Sequence, residues 1–223
     1  MSIKENLLNI TNTLPDHVTL VAVSKTKPVS DIMEAYNIGH RIFGENKVQE
    51  MVEKYEEMPK DIEWHMIGHL QRNKVKYMAN FVSLIHGVDN FKLLKEINKQ
   101  AKKHDRIIDC LLQIKIADED SKFGMSPNEA QDIIQSKALS ELQHVRIKGL
   151  MGMATFTNNI HQIEREFKML KQTFDSLKPL ENSNFKPETI SMGMSGDYQL
   201  AIDCGSTMIR VGSSIFGSRN YSN

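Results

Sequence analysis

Lys25 follows an apolar, β-rich run, Val18 to Ser24, in the segment Val23-Ser-Lys-Thr-Lys-Pro28. Far downstream, Ser191-Met-Gly-Met-Ser-Gly-Asp197 and Cys204-Gly-Ser-Thr-Met-Ile-Arg-Val-Gly-Ser-Ser-Ile-Phe-Gly217 each run from apolar residues into Gly and Ser. Such breaks present backbone N–H groups and hydroxyls where a strand ends, which is what a phosphate needs. An amine at one strand end and two phosphate-type turns point to a phosphorylated aldehyde held as a Schiff base. Of the neighbouring lysines, Lys25 is the expected nucleophile and Lys27 the more exposed of the two. A Lys25 partly desolvated beside Arg210 would have a lowered pKa, favouring the neutral amine that attacks an aldehyde.

For these residues to meet, the chain must bring its first strand beside its last two. Strand-like runs recur at Val18–Ser24, Arg41–Gly44, Ile62–Gly68, Phe81–Val88, Ile107–Ile116, Arg146–Met151, Glu188–Met192 and Thr207–Val211. Helical patterns separate them at Ser30–Ile38, Lys47–Met58, Arg72–Met78, Phe91–Lys103, Asn128–Gln135, Ile160–Leu177 and Asp197–Cys204. This alternation predicts an α/β TIM (β/α)8 barrel, a single domain over residues 1–223 with an extra N-terminal helix; a doubly wound open sheet is the competing layout. Pro179 to Pro187 reads as a loop entering strand seven. In a barrel the chemistry gathers at the C-terminal strand ends, with phosphate held after strands seven and eight. By period two, Val21, Val23 and Lys25 share one face of strand one, and Met208, Arg210 and Gly212 one face of strand eight. An inward arginine keeps its charge and needs a partner.

Composition narrows the partners. Acidic and basic residues balance at 28 each, so there is no global field to gather nucleic acid or an anionic membrane. No stretch has the length of a signal peptide or membrane span, and Cys110 and Cys204 form no C-x-x-C pair, so a reduced, cytoplasmic setting is expected. His65-Met-Ile-Gly-His69 imitates a zinc-protease spacing but lacks the glutamate and reads as strand and turn, so no metal is expected. Ser195-Gly-Asp197 could equally cap a helix, and Asn46, after Phe43-Gly-Glu, could be either a cap or a polar contact to a ring.

In order along nearly the whole chain, Val23-Ser-Lys-Thr-Lys-Pro28, Phe43-Gly-Glu-Asn46 with Val48-Gln-Glu50, Trp64-His-Met-Ile-Gly68 with Leu70-Gln71 and Asn73-Lys74, Ser121-Lys-Phe-Gly124, Lys148-Gly-Leu-Met151, Gly193-Met-Ser195 and Arg210-Val-Gly-Ser-Ser-Ile-Phe-Gly217 resemble the pyridoxal phosphate homeostasis proteins. These are single-domain relatives of the alanine racemase barrel. The resemblance implies a TIM barrel carrying pyridoxal 5'-phosphate (PLP) as an internal aldimine on Lys25. It further implies phosphate contacts from Ser195, Gly212 and Ser213, Arg210 by the pyridine nitrogen and Asn46 near the ring. Ser213 stands where threonine is usual but keeps the hydroxyl; Lys47 replaces a frequent tyrosine, and His69 and Arg72 flank Leu70-Gln71 with bulkier groups.

The implied role is buffering or delivering PLP without turnover, with PLP-dependent apoenzymes as partners and a monomer or weak dimer as the working state. An arginine at the pyridine nitrogen discourages carbanion chemistry, and a chain ending at Asn223 leaves no covering domain for a second base. A minimal PLP-dependent amino-acid racemase is the alternative, and a lysine-dependent aldolase on sugar phosphates a third.

Overall fold

The computed structural model describes residues 2–118 and 123–217, so Ser121 and Lys122 of the Ser-Lys-Phe-Gly motif lie outside the described residues. Eight parallel strands close a barrel in sequence order: β1 (Thr19–Val23), β2 (Ile42–Glu45), β3 (Glu63–Met66), β4 (Leu84–Val88), β5 (Ile108–Gln113), β6 (Val145–Met151), β7 (Phe185–Ser191) and β8 (Met208–Val211). The helices are α1 (Ile3–Thr11), α2 (Val29–Asn37), α3 (Val48–Glu57), α4 (Phe91–Lys103), α5 (Pro127–Gln135), α6 (Lys137–Ser140), α7 (Ile160–Leu177), α8 (Tyr198–Asp203) and α9 (Ser213–Phe216). The TIM barrel and the extra first helix are therefore present, and the open sheet is excluded by the pairing of β1 with β8.

Alternation along the strands builds two separate cores. Val21, Val23, Ile67, Leu84, Leu111, Met151 and Met208 form a cluster inside the barrel. Leu20, Ala22, Trp64, Ile85, Leu112, Ile209 and Val211 point the other way, into the layer packed under the helices. Burying both faces is what makes these strands read as nearly continuous apolar runs. Helix starts follow the sequence closely: Ser2 with Glu5 and Ser126 with Glu129 make reciprocal capping boxes at α1 and α5. At the other end of the chain, α1 reaches α9, where Asn6 Nδ2 donates to the Ile215 carbonyl at 3.0 Å.

Two expectations fail locally. Pro179 to Pro187 is not all loop: Lys178–Leu180 is a 3-10 turn, and β7 begins at Phe185, which is fully buried. The register between β6 and β7 slips from Ile147↔Phe185 to Gly149↔Thr189, and this bulge accommodates Pro187, whose missing N–H would break a regular ladder. Arg72–Tyr77 is 3-10 and not α-helical, and Gly212-Ser-Ser leads into a short helix, α9, that period alone does not reveal.

Candidate functional site

All six residues singled out from the sequence sit at or just beyond the C-terminal strand ends. Lys25 lies two residues after β1 and is half-buried. The turn that carries it is tightly held: Ser24 N–H donates to the Gly44 carbonyl at 3.1 Å and Lys27 N–H to the Ser24 carbonyl at 3.1 Å. Lys27, expected to be the more exposed of the two, falls in the same partly exposed range as Lys25. It is also half-buried, and its ammonium donates to the Phe216 carbonyl at 2.7 Å, tying β1 to the end of α9.

Ser195 bridges the last two loops. Its Oγ accepts from Gly212 N–H at 3.1 Å and Ser214 N–H at 3.5 Å, and it donates to no described residue. Asp197 stands at the N-cap position of α8, as the helix-cap explanation has it, but makes no side-chain capping bond; its Oδ1 accepts from Met194 N–H at 2.6 Å. Ser213 N–H and hydroxyl likewise have no hydrogen-bond partner among the described residues. Gly212 packs against β1: a Cβ there would lie 3.1 Å from the Val23 carbonyl oxygen and 3.2 Å from Val23 Cβ. Thus the loop that carries these donors abuts the strand that delivers Lys25, and a side chain at Gly212 would crowd Val23 and push the two apart.

Arg210 lies opposite Val21 on the inner face of β8 and is only 3 % exposed. Its Nη1 donates to Ser191 Oγ at 2.5 Å and its Nη2 to the Gly152 carbonyl at 3.1 Å. Burial lowers its pKa to about 10, which leaves the guanidinium charged at neutral pH. Behind it stand residues the sequence argument did not assign. Ser191 Oγ is 3.0 Å from His86 Nδ1, and His86 Nε2 is 3.1 Å from His65 Nδ1. Desolvation holds His65 down to about 3 and His86 well below its ordinary value, so both are neutral. While accepting from Arg210, the Ser191 hydroxyl can still donate to His86 Nδ1, and in that tautomer His86 Nε2–H donates to His65 Nδ1.

The signal for this row was a histidine in an otherwise apolar strand, Leu84 to Val88, and a serine closing β7. The two histidines of the zinc-like spacing part company here. His65 turns into the barrel, whereas His69 stacks on Phe123 with centroids 3.9 Å apart and pairs with Asp89 at 3.4 Å.

Asn46 follows β2 at the same rim and is half-buried. It packs against the end of β3, where a Cβ on Gly68 would come within 2.4 Å of the Asn46 carbonyl oxygen, so only glycine allows this approach. A cavity of about 450 Å³ lies elsewhere, beside α7. Its Arg165 and Asp118 pair with each other at 3.1 Å, and it contains none of the six residues.

A closed parallel barrel with an amine after its first strand and donor-lined loops after its last two places the molecule in the class of alanine racemase N-terminal domains, and that family matches residues 1–220. Within the class, the chain belongs to the pyridoxal phosphate homeostasis protein family. It is 42 % identical over 209 residues to the pyridoxal phosphate homeostasis protein of Pasteurella multocida, covering 92 % of this chain and 88 % of that one. It is 38 % identical over 212 residues to the protein of that name from Escherichia coli, covering 93 % and 88 %. The structure of PipY from Synechococcus elongatus with PLP bound superposes with a TM-score of 0.88 at 34 % identity, covering 97 % of this chain and 100 % of that one. Alanine racemase from E. faecalis shares the fold alone, with a TM-score of 0.75 at 14 % identity over 99 % of this chain and 59 % of that one.

Proposed function

We propose that this chain is a single-domain PLP carrier that serves intracellular PLP homeostasis and does not turn over a substrate of its own. One observation carries the assignment of the site. The Ser195 hydroxyl is bonded to the Gly212 and Ser214 N–H groups, and Gly212 lies against Val23 at the end of β1, two residues before Lys25.

The donor set fits the group. Ser195 and Ser213 would hold the phosphate through hydroxyl and N–H donors with no other partner among the described residues, Gly212 would add its N–H by exchanging Ser195 Oγ for a phosphate oxygen, Asn46 would border the ring, and Lys25 would supply the amine that retains the aldehyde covalently. When bound, PLP supplies an electron-withdrawing ring conjugated to that amine. Arg210 would work against strong withdrawal: a charged guanidinium beside the ring nitrogen disfavours its protonation, where a carboxylate would stabilise the protonated, more electron-withdrawing ring. Ser191 and Gly152 fix the plane of that guanidinium, so Arg210 orients and supports the ring without driving carbanion chemistry. Binding and exchange suit this arrangement better than turnover. The membership of the family and the PLP-bound PipY neighbour support the same reading.

No helix among the described residues is long and apolar enough to cross a membrane. In the proposed setting the protein works as a cytoplasmic monomer that yields cofactor to PLP-dependent apoenzymes. The test is to load the purified protein with PLP, reduce with borohydride and map the adduct by mass spectrometry. A yellow protein with the adduct on Lys25, lost in Lys25→Ala, is expected. Failure to take up PLP would overturn the assignment, and conversion of L-alanine to its D-isomer by the loaded protein would favour the racemase reading.

A further inference from the structure

The turn that presents Lys25 is strained, and a buried ionic cluster holds it. Among the described residues only Thr26 and Asp105 are non-glycines with positive φ, at 63° and 50°. Asp105 follows the end of α4, a place where a left-handed residue is ordinary and aspartate tolerates it. Thr26 has no such excuse: a β-branched residue in this region is an outlier that persists only where its surroundings impose it.

The restraint is visible on both sides of Lys25. Glu50 Oε1 accepts from Thr26 N–H at 2.5 Å. Lys54, 6 % exposed, donates to the Ser24 carbonyl at 2.8 Å, to Glu45 Oε1 at 2.8 Å and to Glu50 Oε1 at 2.7 Å, which engages all three of its hydrogens. Ser24 Oγ donates to the same Glu45 oxygen at 2.6 Å. Two residues of α3 thereby grip the backbone carbonyl before the amine-bearing residue and the N–H after it, while Glu45 of β2 holds the Ser24 hydroxyl.

The cluster is not simply good packing. Glu45 is fully buried, and its Oε2 finds no hydrogen-bond partner among the described residues. Burial also raises its pKa to about 7 despite Lys54. A buried Glu45–Lys54 pair with one carboxylate oxygen unsatisfied, flanked by the partly exposed Glu50, is a costly way to fill space, since apolar residues of similar volume commonly serve stability as well or better.

We propose that Glu50 and Lys54 are positioning residues that hold the Ser24–Thr26 turn in its strained form and so set the Lys25 amine for cofactor capture. This inference rests on the reading of Lys25 as the PLP-bearing residue. The clamp acts through the backbone and touches no cofactor atom, so relieving the strain should replace it.

The experiment compares Glu50→Ala, Glu50→Gln and the double variant Glu50→Ala with Thr26→Gly, reading PLP affinity by titration, the rate of PLP loss to a scavenging apoenzyme, and melting temperature of the unloaded protein. Glu50 is partly exposed, so its replacement leaves a foldable chain. Glu50→Ala is expected to weaken PLP binding about tenfold, equivalent to about 1.4 kcal/mol, and to hasten its loss. Glu50→Gln, which keeps the accepting oxygen, should stay close to the parent. Thr26→Gly, which removes the cost of positive φ, should restore most of the affinity to Glu50→Ala. Overturning results are unchanged PLP affinity in Glu50→Ala, or a loss that Thr26→Gly does not repair. Lys25→Ala is run alongside: a borohydride adduct that survives in that variant defeats the site assignment itself, whatever the clamp variants do.

Discussion

The two ends of the barrel carry comparable polarity and dispose of it in opposite ways. At the end where the strands begin, charges cancel within the chain. Arg146 makes two bonds to Asp109, at 2.7 and 3.0 Å, and Arg41 pairs with Asp61 at 2.8 Å. At the mouth, Arg210 has a hydroxyl and a carbonyl for company but no carboxylate within ion-pairing distance among the described residues, while Ser195 and Ser213 have donors to spare. The β2–α3 side of the mouth is already filled by Glu45, Glu50 and Lys54, whereas the side formed by the last two strands keeps a guanidinium without a carboxylate partner and spare donors, which suits the anion proposed for it. The difference also separates structural from functional polarity more reliably than the identity of any single residue.

That contrast can be attacked from the strong side first. Gly212→Val places a branched side chain against Val23 and so forces the closing loop, with the Gly212 and Ser214 N–H groups that hold Ser195, away from β1. Losing even one or two hydrogen bonds to a charged phosphate predicts a rise in PLP Kd of about 100-fold, measured by titration of the unloaded protein. Retained affinity would mean that the phosphate sits elsewhere. Arg210→Met comes next. It leaves the Gly152 carbonyl buried without its donor and is expected to cost about 1–3 kcal/mol of stability in urea unfolding, while a PLP adduct on Lys25 still forms.

Acidification probes the neutral histidine row beneath Arg210. His65 and His86 have pKa values lowered by burial, so between about 3 and 6.5 the unfolded chain binds more protons than the folded one, and stability rises with pH. Their contribution is complete above about pH 6.5 and is lost as pH falls below it; the stability lost between pH 7 and pH 5 should be smaller in His65→Asn. Glu45 acts in the opposite sense. Its raised pKa, beside Lys54 and Glu50, gives stability that is lost as pH rises towards about 7, so Glu45→Gln should steepen the acid-side loss. The smallest effect belongs to the other end of the barrel. Arg146→Gln breaks a partly exposed pair and should change stability by less than about 1 kcal/mol and PLP affinity not at all.

The barrel was legible because alternation survives in it: Val21 and Val23 face in while Leu20 and Ala22 face out, and the same rule set Met208 and Arg210 on the inner face. Lys25 and the two Gly/Ser loops were legible because strand ends and turn chemistry are local. Ser191, His86 and His65 were harder to see. Their partnership spans three strands far apart in the chain, and a single polar residue in an apolar run does not announce what it faces. The start of β7 was misread for a related reason: Pro187 signals a break, and only a bulge created by β6 lets the strand run through it. Thr26 was equally silent, because positive φ in a threonine comes from Glu50 and Lys54 and not from the residue itself.

Asn6 of α1 bonds to α9, and Lys27 reaches the same short helix from the first β-to-α turn. The opening and the closing stretches of the polypeptide are thereby stitched together around the loops proposed to hold the phosphate. Whatever anion settles there acts as a rivet through the last joint of the cylinder to close. Loading should consequently protect the amides of β1 and β8 from hydrogen exchange well before it protects those of β4 and β5.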